Sequence, residues 1–98
     1  MKNFPINNLF NNVPVSFPDE FVDILSENKN VRIERIVSKG HASPENFWYD
    51  QDKDEFVILL KGSARLAFKD EQEIVELKPG DYLHIRAHVK HRVEWTST

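Results

Sequence analysis

Residues 55–62 read E-F-V-I-L-L-K-G, and residues 77–95 read L-K-P-G-D-Y-L-H-I-R-A-H-V-K-H-R-V-E-W. The first stretch is the most apolar run of the chain and opens on a carboxylate. The second follows a proline–glycine turn with two β-type runs, the last carrying a histidine among apolar neighbours. In that run Lys90, Arg92 and Glu94 share one strand parity, and Val89, His91, Val93 and Trp95 the other. With the charged set toward water, His91 points inward. A buried imidazole needs a hydrogen-bond partner or a metal, because an unsatisfied buried polar group costs ~1–3 kcal/mol. Glu55 either sits at the exposed end of its strand or enters the same interior, where a carboxylate must be paired, ligated or protonated.

Working outward, S-A-R-L-A-F-K (63–69) places Ala64, Leu66 and Phe68 on one face with Ser63, Arg65 and Lys69 on the other, the alternation of a half-buried strand. Asp70 and Glu71 mark a turn, Glu73 to Leu77 returns, and Lys78-Pro79-Gly80-Asp81 is a second turn. Tyr82 to Ile85 and Val89 to Trp95 are further strands, Phe47 to Tyr49 another, and V-R-I-E-R-I-V-S (31–38) is β-branched with both faces at least partly covered. Before it, S-F-P-D-E-F-V-D-I-L-S-E (16–27) offers Ser16 as a cap, Pro18 in a first turn, and Phe17, Phe21, Ile24 and Leu25 at helical spacing. It is read as one short helix ended by Asn28 to Asn30. Met1 to Val15, rich in Asn and broken by Pro5 and Pro14, is read as an irregular arm. Six or seven short strands with one helix argue for an all-β sandwich or barrel. The organisation expected is an arm and helix over 1–30 and a barrel over 31–98, in a single domain.

Composition narrows the classes. With 98 residues, one modest core is expected. Net charge is −3 and the basic residues are dispersed among acidic ones, so no nucleic-acid-binding face is expected. No apolar run approaches the roughly 20 residues that span a bilayer, and the first residues lack a secretory apolar core, so the chain is expected to be cytoplasmic and to have no membrane partner. The absence of Cys excludes disulfides, thiolate chemistry and Cys-ligated metal. Neither a G-x-S-x-G elbow, a phosphate-binding glycine loop nor an H-E-x-x-H helix is present. His41 and His84 are read as solvent or rim residues.

These residues resemble the small single-domain cupins, and the look of F-W-Y-D-Q, E-F-V-I-L-L-K-G and A-H-V-K-H-R-V-E-W-T is that of a bacterial short-cupin subgroup. Glu55 and Gly62 match the Glu-to-Gly spacing of the family's first motif, while its H-x-H pair is replaced by Trp48 with Asp50 or Tyr49 with Gln51. Gly80 and His91 match the second motif in spacing, with Arg86 where Pro is usual and His88 where the second Gly is usual. The resemblance implies a double-stranded β-helix, or jelly-roll barrel. Members of that look carry a further strand after the W-T pair, so an open edge is expected here, closed by the arm or a second subunit.

The resemblance also implies a divalent ion, Zn, Mn, Ni or Fe, held by Glu55 and His91 with His88 and Asp50 or Gln51 completing the set. Trp48, Tyr49 and Trp95 would line the pocket. The function expected is a metal-binding small cupin that binds or acts on a small molecule in the barrel interior. The alternative is a metabolite- or sugar-binding module without metal, and a homodimer is expected under either.

Overall fold

Seven strands follow one another, and among the described residues, 4–98, the computed structural model contains no helix and thus none long and apolar enough to cross a membrane. They fall into two units, one ending at Val37 and one spanning Ser38–Thr98.

The first unit is built on β1 (Phe21–Glu27) and β2 (Arg32–Val37), an antiparallel hairpin. Asn28 closes it: its side-chain oxygen accepts the N–H groups of Asn30 and Val31, an Asx turn of the kind asparagine favours. The helix expected over 16–27 is therefore corrected to bends followed by a strand. A helix of the twelve residues 16–27 is only at the lower edge of the ~12–15 residues at which isolated helices become even marginal, whereas β1 gains a ladder against β2. The spacing of Phe21, Ile24 and Leu25 that imitates a helix arises because Leu25 is an extra residue between the paired positions Ile24 and Ser26. On one face of this hairpin Arg35 forms a two-toothed pair with Asp23, 3.0 Å at each contact, and donates to the carbonyls of Leu9 and Asn11. The arm is thus tied back over the hairpin by one guanidinium. Both faces of β2 were expected to be at least partly covered, and Ile33 and Ile36 are about half exposed.

The second unit contains two sheets. β3 (Glu55–Ile58) pairs with β6 (Tyr82–Ile85), and β4 (Ala64–Phe68) lies between β5 (Glu73–Leu77) and β7 (His91–Thr96), every pairing antiparallel. Leu66, Phe68, Leu77 and Ile85 form the buried cluster, with Val57, Leu59, Val75, Leu83, Val89 and Val93 packed on it, so the core lies between the two sheets. The apolar run of β3 is one-sided: Val57 faces the core while Phe56 and Ile58 face out. The turn at Lys78–Asp81 has Gly80 at φ +92°, as a glycine corner requires, and the Asp81 carboxylate accepts the Lys78 N–H. The expected open edge of β7 is met by residues 41–49: Ser43 donates to the Val93 carbonyl, and Tyr49 and His91 exchange backbone hydrogen bonds at 2.7 and 3.1 Å.

One residue of β7 has no partner. Leu66 pairs with Val93 and Arg65 with Trp95, so Glu94 is a bulge that reverses the alternation of the strand. Before it His91 and Val93 face inward; after it Thr96 takes the inner position opposite Ala64.

Gly62, at φ +80°, sits where an added Cβ would lie 2.7 Å from Ser97 Oγ, the oxygen that accepts the Ser63 N–H. Gly62→Ala is expected to lower stability by more than the ~1–2 kcal/mol that left-handed backbone alone costs. The reference is Gly80→Ala, whose Cβ meets open space. Urea unfolding of both variants checks this, and equal losses would contradict it.

Candidate functional site

Register builds the interior in layers. At one end Glu55 is opposite Ile85, and Phe68 is opposite both His91 and Glu73; the next layer pairs Val57 with Leu83 and Leu66 with Val75 and Val93. Side chains directly opposite in an antiparallel pair share a face. Polar groups therefore gather in the end layer, and the layer beneath is wholly apolar.

Glu55 and His91 meet across the gap between the sheets. His91 Nε2 lies 3.2 Å from Glu55 Oε1, and Nδ1 lies 2.8 Å from the Val89 carbonyl. The His91 ring is buried, and the Glu55 side chain retains a third of its exposure, so one partner is desolvated and the other reaches the rim. Both ring nitrogens face acceptors. The carbonyl accepts only, which fixes a proton on Nδ1 and leaves Nε2 sharing a second proton with the carboxylate. The hydrogen bond to Glu55 raises the His91 pKa above its ordinary 6.5, opposed by burial and assisted by the Val89 carbonyl and the Glu55 charge. Tyr49 stacks on the ring with centroids 5.6 Å apart, and Phe68 is tilted against it at 6.1 Å.

The other expected ligands form a separate contact. His88 Nδ1 lies 2.9 Å from Asp50 Oδ1, both exposed, while the Gln51 backbone carbonyl accepts the His88 N–H at 2.7 Å. His88 has φ +66°, left-handed backbone that explains why glycine is usual at this place in the motif. His84, exposed as read from the sequence, pairs with Asp54 at 2.8 Å, and Asp54 also accepts the Ala87 N–H. The Ala87 hydrogen bond first, then the one from His84, pull the Asp54 carboxyl below its ordinary 3.8.

Of the expected pocket aromatics, Tyr49 touches the pair through His91. Trp48 lies beside Lys69 and Arg92, with their charges 5.9 and 6.0 Å from its ring. Trp95 is turned by the Glu94 bulge to face Arg65, whose guanidinium is 4.8 Å from its ring centroid.

The donor set can be compared with what a divalent ion needs. A proton held on Nδ1 by a carbonyl leaves Nε2 as the coordinating nitrogen, the tautomer that metal-bound imidazoles use. Glu55 adds a second donor. Structural and catalytic zinc sites take three or four protein ligands, however, and among the described residues no three His, Asp or Glu side chains come together. Asp50 and His88 are engaged with each other. The residues as arranged do not fit a protein-held ion.

A cleft of about 570 Å³ opens beside the pair, within the range of small-molecule sites. Phe68, Val75, Leu83, Ile85 and Val89 form its apolar wall, and Glu71, Glu73, His84 and Arg86 its polar rim. Phe68 is in contact with the His91 ring, Val89 holds its Nδ1, and Ile85 is opposite Glu55. Sequence reasoning missed Glu73. The signal was present, since Glu73, Val75 and Leu77 share a parity and Phe68 stands opposite the first of them.

Residues 34–98 match the family model described as Cupin domain. Over 84 residues the chain is 31% identical to the L-ectoine synthases of Rhodococcus opacus (strain B4) and Rhodococcus jostii (strain RHA1), an alignment covering 74% of this chain. It spans 64% of the length of each of those relatives. A crystal structure from Ralstonia eutropha JMP134, provisionally named a mannose-6-phosphate isomerase, superposes with a TM-score of 0.90 at 46% identity, covering 95% of this chain and 86% of that one.

A pKa raised in the folded state stabilises the fold below the unfolded value of 6.5, and the gain disappears as pH rises through the raised folded value. The stability difference between wild type and Glu55→Gln is therefore expected to be large near about pH 6 and to shrink by about pH 9. Chemical denaturation at both pH values measures it. A gap independent of pH would contradict the shared proton.

Proposed function

The chain belongs to the cupin domain family, and on that premise we propose that it binds a small organic molecule at the polar end of its barrel, with Glu55 and His91 meeting the ligand's polar atoms. The observation that carries this reading is the buried His91 with both nitrogens on acceptors, beside a cleft of ligand size. An apolar filling would serve stability at least as well as a polar pair, whose burial is costly. With Glu55 a third exposed and Phe68, Ile85 and Val89 shared between the pair's surroundings and the cleft wall, the pair is equipped to donate a hydrogen bond from Nε2 and accept one at the carboxylate. A ligand hydroxyl or carbonyl entering there would exchange a proton with a positioned acid or base, a contribution of typically ~10²–10⁴ in rate. Acid–base chemistry on a small metabolite is the reaction class proposed. An isomerase and a synthase are the names its relatives carry, and each name belongs to that relative.

The His91 tautomer favours a second reading, a divalent ion on Nε2 and a Glu55 oxygen, with Asp50, Gln51 and His88 recruited once the Asp50–His88 contact opens. Zn, Mn, Ni and Fe all suit such nitrogen and oxygen donors.

A thermal-shift screen of wild type and His91→Gln, with metabolites and with chelator, separates the two. The first reading expects a metabolite to stabilise wild type and not the variant. At 100 times its dissociation constant the gain is ~2.7 kcal/mol, roughly 11–22 °C for a domain of this size. Chelator is expected to change nothing, and elemental analysis to find no stoichiometric metal. If no compound distinguishes the two proteins, the first reading fails. About one ion per chain, lost in the variant, would establish the second in its place.

A further inference from the structure

The inward rows of the strands around the cleft are apolar with few exceptions. On β4 they are Ala64, Leu66 and Phe68, and on β6 Leu83 and Ile85. On β5 the row reads Glu73, Val75, Leu77. Glu73 is thus a second carboxylate in the polar end layer, directly across the ladder from Phe68, with His91 on the other side of the same phenyl ring. Glu71 lines the same rim.

Opposite charge faces this edge. Arg86, one residue past β6, lines the cleft together with His84. The imidazole of His84 is taken by Asp54, and the Arg86 charge also acts on that carboxylate, but Arg86, Glu71 and Glu73 form no ion pair within contact distance among the described residues. Glu73 at the head of β5 and Arg86 just past β6 border one cleft whose lining also holds Phe68, Val75 and Leu83. The walls carry the pattern of a dipolar guest: an acidic rim, an apolar wall and a cationic rim. Phe68 adds to the acidic side, because the face of an aromatic ring attracts a cation.

Resting on the small-molecule reading above, we infer that the ligand is a dipolar molecule with an ammonium or guanidinium group and a carboxylate or similar anion joined by a short apolar body. Its cationic group lies against Glu73, its anionic group against Arg86, and its body over Phe68, Val75 and Leu83. That arrangement lays the middle of the ligand on Phe68, whose ring in turn contacts that of His91. Glu73 and Arg86 are then specificity residues.

The test uses three probes of matched size, 4-aminobutyrate, n-butylamine and n-butyrate, titrated into ¹⁵N-labelled protein and into its Glu73→Gln and Arg86→Gln variants. The expected result is that 4-aminobutyrate moves the amides of Phe68, Glu73, Arg86 and Val89, and binds at least about tenfold more tightly than either singly charged probe. A factor of ten is what ~1.4 kcal/mol from one added charged contact supplies. Glu73→Gln should weaken 4-aminobutyrate and butylamine but not butyrate, and Arg86→Gln should weaken 4-aminobutyrate and butyrate but not butylamine. Both side chains are exposed, so unchanged melting temperatures are expected to accompany these losses.

Equal affinity for the three probes, no binding of any of them, or shifts confined to residues outside the cleft would overturn the inference. The broader reading is judged separately by the His91→Gln screen. A His91-dependent ligand that is neutral, or carries one charge only, would leave that reading standing and this inference refuted.

Discussion

Everything polar inside the barrel depends on one contact, the hydrogen-bonded ion pair between Glu55 on β3 and His91 on β7. It is the place where the two sheets exchange a charge rather than a van der Waals surface. The Val89 carbonyl sets the ring's orientation from below and Tyr49 stacks against it, so the imidazole is held on three sides. An ion pair of this kind stabilises only modestly, since desolvation consumes much of its attraction. Its retention in an otherwise apolar layer sequence is therefore better understood as chemical equipment than as structural glue.

The layering explains why the equipment sits where it does. The Val57, Leu83, Leu66, Val75, Val93 layer closes the interior beneath the pair and keeps it dry on that side. Beside it the cleft opens, and three residues of its wall, Phe68, Ile85 and Val89, contact or stand opposite members of the pair. A fully buried pair would be inaccessible to a ligand, and a fully exposed one would lose its proton affinity to solvent screening. Glu55 at the rim and His91 in the interior divide those requirements between them.

Much of this was legible in the chain. The alternation in V-K-H-R-V-E-W pointed His91 inward, the Glu-to-Gly spacing of E-F-V-I-L-L-K-G placed Glu55 at the head of a core strand, and the turn residues marked where strands end. Three features were not read, for identifiable reasons. The strand β1 mimics a helix because its bulge at Leu25 shifts the apolar positions into a three- and four-residue spacing. Trp95 shares the parity of His91 in the sequence but faces Arg65, because a bulge is a property of pairing and leaves no mark in a single strand. Asp50 and His88, expected beside the pair, are occupied with each other, a choice made by loop geometry and the left-handed backbone at His88. Glu73 differs from these, since strand parity alone would have placed it in the end layer.

The protonation of His91, with one proton on Nδ1 held by the Val89 carbonyl and a second on Nε2 shared with Glu55, carries the account. It is tested most directly by a ¹⁵N-detected NMR titration of the His91 ring, assigned by comparison with His91→Gln. The account predicts a midpoint above the ordinary 6.5, with both ring nitrogens protonated below it and Nδ1 still protonated above it. A midpoint at or below 6.5, or a neutral form carrying its proton on Nε2, would contradict it.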